Sequence, residues 1–354
     1  MLNTTILALT LAFNLTVSGQ STSEQRLLAQ EAISNSQKEV LANPSSAEAY
    51  YRLGQAYLAH WYSVADKAGD AFLQATHLKP DYAEAYYGLA IAYDRVHRHQ
   101  MQEIHPQKEV EALKKAIELK PDYVDAFVQL ARTYMWNETL PNLNLEKTYR
   151  PAVEILKKAV EITPDFGEAH RELARAYSVL KENERALSEF KQAIASKPDD
   201  PATYSSLDYY SAKLGELEGA IGIYKQVIEG DSENALAHKS IAKAYFATHK
   251  YQKTTEHYEQ AIRIKPDDGE SHYQLGCVYL LLGDKEAALA QHKSLEEIIE
   301  KTEDYLLKLS YQSKAVELIK KIQSDSPSGR RENDLVVRRN SCDLYVTGLD
   351  LNGW

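Results

Sequence analysis

The chain has 354 residues, of which 44% are hydrophobic and 26% charged, with a formal net charge of -10. It is long and apolar enough to bury a sizeable core, which excludes a chain disordered throughout. The acidic balance argues against nucleic acid as the main partner, and two distant cysteines, Cys277 and Cys342, supply neither a disulfide framework nor a metal cluster.

In chain order, the opening "MLNTTILALTLAFNLTVSGQ" has no Lys, Arg, Asp or Glu around a short apolar run, and Val17-Ser18-Gly19 offers a cleavage point. Residues 1–19 therefore read as a signal peptide. The expected location is exported, either periplasmic or secreted and luminal, with a cytoplasmic chain as the alternative. Membrane contact is expected only through an uncleaved N-terminus, because the apolar run is short for a span. Residues 20–46 are predicted to form an N-terminal capping helix.

From residue 47 the chain repeats itself. Pro44, Pro80, Pro121, Pro164, Pro198 and Pro266 set a beat, with Ser232 in the missing place. Six residues after each stands a large side chain: Tyr50, Tyr86, Phe127, His170, Tyr204, His238 and His272. Leu53, Leu89, Leu130, Leu173, Leu207, Ile241 and Leu275 follow, each next to a position that is small in most units. Spacings of three and four put these groups on one face of a first helix. A second helix carries stripes such as Ala68-Phe72-Ala75 and Ala186-Phe190-Ala193, in which small residues permit close approach. Gly215 and Gly283 mark the turn between helices, and His249 takes the place of a turn glycine. Such pairs bury their apolar faces only by stacking.

This pattern of small and large positions on a 34-residue beat resembles the tetratricopeptide repeat (TPR) family over residues 47–302, seven units. The resemblance implies an all-α fold, a right-handed solenoid of antiparallel helix pairs. The first three units are stretched between helices by segments centred on "HWYSVAD", "HRHQMQEIHPQ" and "NETLPNLNLEK", expected along one edge of the stack. Residues 303–323 are predicted to form a C-terminal capping helix with a charged outer face. Residues 324–354 read as a flexible or loosely docked tail.

The resemblance also implies a concave groove lined by first helices. Carried onto this sequence, its lining positions are Tyr51, Tyr87, Arg132, Trp136, Arg171, Arg175, Tyr209, Lys213, Lys239, Lys243, Phe246 and Tyr273. The expected partner is a protein or extended peptide, and the cations of the middle units favour an acidic one. Against that stands local pairing with Glu48, Glu84, Asp125 and Glu168. The lysine-then-asparagine clamp of chaperone-binding TPR proteins is missing: the equivalent pairs are Tyr87 and Ile91, Val128 and Arg132, Arg171 and Arg175.

No catalytic constellation is legible. The sequence has no Gly-X-Ser-X-Gly, no phosphate-binding glycine loop and no HExxH. His60, His97, His99 and His105 lack a spaced acidic or sulfur ligand and read as exposed loop histidines, so no metal or other cofactor is expected. The expectation is a non-enzymatic adaptor or scaffold. The alternatives are a structural assembly protein using the inserted edge or the tail, and the regulatory subunit of an enzyme. Oligomeric state stays open.

Overall fold

The computed structural model describes residues 23–60, 64–100, 106–136 and 144–324. The leader, His105 of the second insertion and the tail beyond Ser324 lie outside them. Sixteen helices account for nearly all the described chain. They fall into two compact units that divide between Pro164 and Asp165.

The first unit holds α1 (Ser23–Ala42), α2 (Ala47–Ala59), α3 (Ala65–Leu78), α4 (Ala83–Gln100), α5 (Pro106–Leu119), α6 (Val124–Met135) and α7 (Leu145–Ile162). Consecutive helices pack against each other in antiparallel pairs, and α2 also touches α4. Phe72 of α3 is fully buried, its ring fitted against Gly54 of α2 and Gly88 of α4. A Cβ at Gly54 would stand 2.7 Å from that ring and one at Gly88 2.5 Å, so the small residues are what let the ring in. The inserted segments extend helices: α4 runs on to Gln100, and α7 begins at Leu145. Asn144 caps α7 by accepting from the Lys147 amide at 2.9 Å. Pro151 therefore lies inside α7, where the regular second helix has its first turn.

The second unit holds α8 (Gly167–Val179), α9 (Asn183–Ser196), α10 (Pro201–Leu214), α11 (Leu217–Gly230), α12 (Ala235–Ala247), α13 (Tyr251–Ile264), α14 (Gly269–Leu282), α15 (Lys285–Lys301) and α16 (Tyr305–Ser324). First helices touch the next first helix as well: α8 meets α10, α10 meets α12, and α14 meets α16. The turns between paired helices share one geometry. Lys181, Gly215, His249 and Gly283 all adopt left-handed backbone, with φ of 60°, 76°, 58° and 82°. After each, an amide reaches back to a carbonyl one turn inside the helix: Glu182 to Tyr177 at 2.9 Å, Glu216 to Ser211 at 2.8 Å, Lys250 to Tyr245 at 2.9 Å and Asp284 to Tyr279 at 2.8 Å. This closes the helix end with satisfied carbonyls.

The large position after each proline beat also has a polar task. Tyr204 donates to the Pro198 carbonyl at 3.1 Å, and His238 and His272 reach the carbonyls of Ser232 and Pro266 through Nε2 at 3.2 and 3.1 Å. Nδ1 of the histidines meets the paired second helix: His170 with Glu189 at 2.6 Å, His238 with His257 at 3.1 Å and His272 with Gln291 at 2.8 Å. These residues pin the turn and lock the helix pair together. The leucine positions from Leu53 to Leu275 are all buried.

Candidate protein-binding faces

In the first unit, the expected residues Tyr51 and Tyr87 stand on α2 and α4, both partly buried. Each meets a second tyrosine from the turn before the next first helix. Tyr51 packs on Tyr82 with centroids 5.0 Å apart, and Tyr87 on Tyr123 at 5.0 Å. Tyr82 and Tyr123 close two copies of the phrase Lys-Pro-Asp-Tyr, and the phrase explains the local geometry. Lys79 lies 4.5 Å over the Tyr82 ring and Lys120 lies 4.6 Å over that of Tyr123, a cation resting on a π face in each turn.

Carboxylates run beside the rings. Tyr82 donates to Glu48 at 3.2 Å, and Lys120 bonds Glu84 at 3.1 Å. Partial burial pushes the Glu84 carboxyl up, but backbone hydrogen bonding and the lysines Lys120 and Lys79 bring it below its ordinary value. Burial, then the charges of Glu84 and Glu48, push the Tyr51 hydroxyl up to about 12. On α6, Arg132 is partly buried and Trp136, at the end of the helix, is exposed.

In the second unit the expected cations share the inner positions with carboxylates. Arg171 binds Asp200 at 2.7 Å, and Arg175 binds Glu172 at 2.6 Å. Lys239 binds Asp268 at 2.8 Å and Lys243 binds Asp208 at 3.3 Å. Asp208 also accepts from Tyr224 at 2.6 Å and from Ser240 at 3.1 Å. Tyr209 packs edge-on against Tyr210, with Lys213 5.5 Å from its ring centroid. Burial pushes the Asp268 carboxyl up, yet Lys239 and the Ser271 hydroxyl hold it below its usual value. Asp200 behaves alike: Thr203 and Arg171 outweigh its burial. Of the expected local partners, Glu168 lies 3.8 Å from Arg171.

Two expected lining residues are corrected. Phe246 is 2% exposed and Tyr273 is 0% exposed, both inside the cluster that α14 builds with α16. The reason is that α16 covers α14: Lys314 and Lys321 each lie 5.4 Å from the Tyr273 ring centroid, and Lys314 binds Glu270 at 3.0 Å. Cys277 is buried there too, 4.0 Å from the Lys321 ammonium. The outer face of α16 is less charged than expected, exposing Tyr305, Leu306, Leu309 and Val316.

Sequence reasoning missed Tyr82, Tyr123, Asp200, Asp208 and Asp268. The doubled Lys-Pro-Asp-Tyr phrase and the recurrence of Asp200, Asn234 and Asp268 before first helices were the available signals. Among the described residues no group of three or more His, Cys, Asp or Glu side chains is arranged to hold a metal. A cavity beside Phe190 and Tyr210 holds about 10 Å³, no more than one water. No described helix is long and apolar enough to cross a membrane.

Family models agree with this architecture. Residues 143–207 match a model described as tetratricopeptide repeat, and residues 242–283 match one described as TPR repeat. Over those residues the chain carries tetratricopeptide repeats. Among solved structures, MamA is 23% identical, overlapping 53% of this chain and 94% of its own with a TM-score of 0.40. TTC0263, a thermophilic TPR protein of Thermus thermophilus, is 22% identical over 57% of this chain and 100% of its own, TM-score 0.42. PilF of Pseudomonas aeruginosa is 15% identical over 75% and 96%, TM-score 0.43. No curated protein matches the sequence.

Proposed function

We propose that this TPR protein is an adaptor that binds a segment of a protein partner along its first-helix faces. The observation that carries the reading is the side-by-side placement of half-exposed rings and paired charges on those faces, with Arg175 35% and Lys243 29% exposed. An acidic segment is the partner for the second unit. Its carboxylates would share those cations with Glu172 and Asp208, which keep their pairs because both carboxylates are largely buried, at 2% and 17% exposed. Arg171 and Lys239 are more enclosed, at 14% and 19%, and serve mainly to tie their first helices to Asp200 and Asp268 before the next ones. Export through residues 1–19 belongs to the same proposal and rests on the sequence of that segment.

The test is affinity capture from separated native cell fractions, with Arg175→Gln, Lys213→Gln and Lys243→Gln combined in a second bait of unchanged helicity. A partner found in the exported or luminal fraction and lost with the triple variant supports the reading. A partner that persists on the variant rejects the second-unit face. It would direct attention to the inserted edge or tail, the route of an assembly protein.

A further inference from the structure

The repeat register runs on past α15. One beat beyond Pro266 falls Glu300, and six, nine and ten residues later stand Leu306, Leu309 and Ser310. These are the large, leucine and small places of a first helix, so α16 (Tyr305–Ser324) is a first helix. It meets α14 as α10 meets α12. Among the described residues no second helix follows it. Leu306 and Leu309 are 54% and 44% exposed, whereas the seven leucine positions before them are all buried. The other end is the reverse. α1 precedes Pro44 as a second helix precedes its proline, and it packs on α2. Among the described residues no first helix stands before it, and Leu27 and Leu28 are exposed. Each copy of the chain thus carries half a unit at either end, and the two halves are of opposite kind.

We infer that α16 of one copy pairs with α1 of another, a head-to-tail contact that completes a repeat unit between two chains. The chain's own units fix the register. The residue six after a beat meets the residue nine before the next in three of them: His170 with Glu189, His238 with His257 and His272 with Gln291. Leu306 accordingly falls beside Asn35 of the other copy. Antiparallel pairing then sets Leu309 beside Ala32, Ser313 beside Leu28 and Glu303 beside Lys38. Leu309 and Leu28 each face a small residue, and the exposed Glu303 and Lys38 are opposite in charge. Ala32 stands twelve residues before Pro44, as Ala68 and Ala186 stand before Pro80 and Pro198. Ser313 holds the place where most first helices carry a tyrosine, from Tyr57 to Tyr279, so Leu28 fills the room that the missing ring leaves. Both helices are 20 residues long against 14 for α14, since no turn joins them and cuts either short. The segment 325–354 has no alanine for the stripe that second helices use, which leaves α1 of a second copy as the fitting occupant.

The test measures the mass of the full chain by light scattering on a sizing column, over about a hundredfold range of concentration. A head-to-tail contact does not close on itself in a dimer, so the mass is expected to rise past that of a dimer as concentration increases. Leu28→Glu alone, or Leu306→Glu with Leu309→Glu, should hold the chain as a monomer. All three residues are exposed, and unchanged helicity is the control for folding. An equal mixture of the two variants keeps one intact end on each and should form a dimer and nothing larger. Lys38→Glu should weaken assembly by about threefold, and Glu303→Lys in the same chain should restore it. A wild-type chain that stays monomeric overturns the inference and leaves the segment beyond Ser324 as the cover of α16. Assembly that survives either end variant overturns it too. So does a mixture that gains no dimer, which would point to two α16 faces meeting each other. Neither end carries a residue of the proposed partner-binding faces, so the adaptor reading stands or falls by its own capture experiment.

Discussion

At position 249 a histidine occupies left-handed backbone that Gly215 and Gly283 hold without strain. A β-carbon in that conformation crowds the following carbonyl and costs about 1 kcal/mol. Lys181 carries the same burden earlier in the series. His249→Gly and Lys181→Gly should each raise the unfolding free energy by about 1 kcal/mol, read by urea denaturation. Gly215→Ala should lower it by a similar amount. The His238–His257 pair sets a pH response. With Nε2–H of His238 given to the Ser232 carbonyl, Nδ1 is left to accept from His257, so the His238 ring is neutral. Burial, with the charges of His238, Lys225 and Lys253, pushes His257 down to about 4. Burial lowers His238 as well. The unfolded chain therefore binds more protons between about pH 6.5 and 4, and stability must fall as pH drops through that window. His257→Gln keeps an amide donor for His238 and removes one titration. It should flatten the decline of melting temperature over that range, and an unchanged slope would show that other groups govern it.

For a single helix, the repeat register decided a great deal. It located the leucine and small positions of the first helices and the Ala-Phe-Ala stripes of the second, because stacking leaves those side chains one acceptable size. It also gave the left-handed turn at His249. The ion pairs were not legible in the same way. Arg171 and Asp200, like Lys239 and Asp268, lie 29 residues apart, so each pair joins a first helix to the turn before the next one. A register read one unit at a time shows the cation and not its mate. The placement of α16 was hidden for a related reason: position 273 has the sequence of a lining residue, and only the covering helix makes it core. That cover is testable. In a Cys342→Ser background, Cys277 should resist a thiol reagent, since it is 1% exposed beneath α16. Leu318 is fully buried in the same contact, facing Gly276, and Leu318→Ala costs about 2–5 kcal/mol of packing. Combined with Lys314→Ala, it should raise the labelling rate of Cys277 by about tenfold or more, because local opening of α16 then needs less free energy. Unchanged labelling would mean that α16 is not what protects the thiol.

Over the whole chain, the division at Pro164 and Asp165 bears on how damage spreads. In a stack each helix pair draws its stability from its immediate neighbours, so a lesion should fade with distance along the chain. Phe72 is the sharpest place to create one: its ring fills the gap between Gly54 and Gly88 and touches Tyr51 at 5.7 Å between centroids. Phe72→Ala removes about 3–5 kcal/mol from the α2–α4 region. Native hydrogen exchange should then accelerate across α2 to α5 and leave α10 to α14 at their original rates. Acceleration reaching α14 to the same degree would mean that the two units unfold as one.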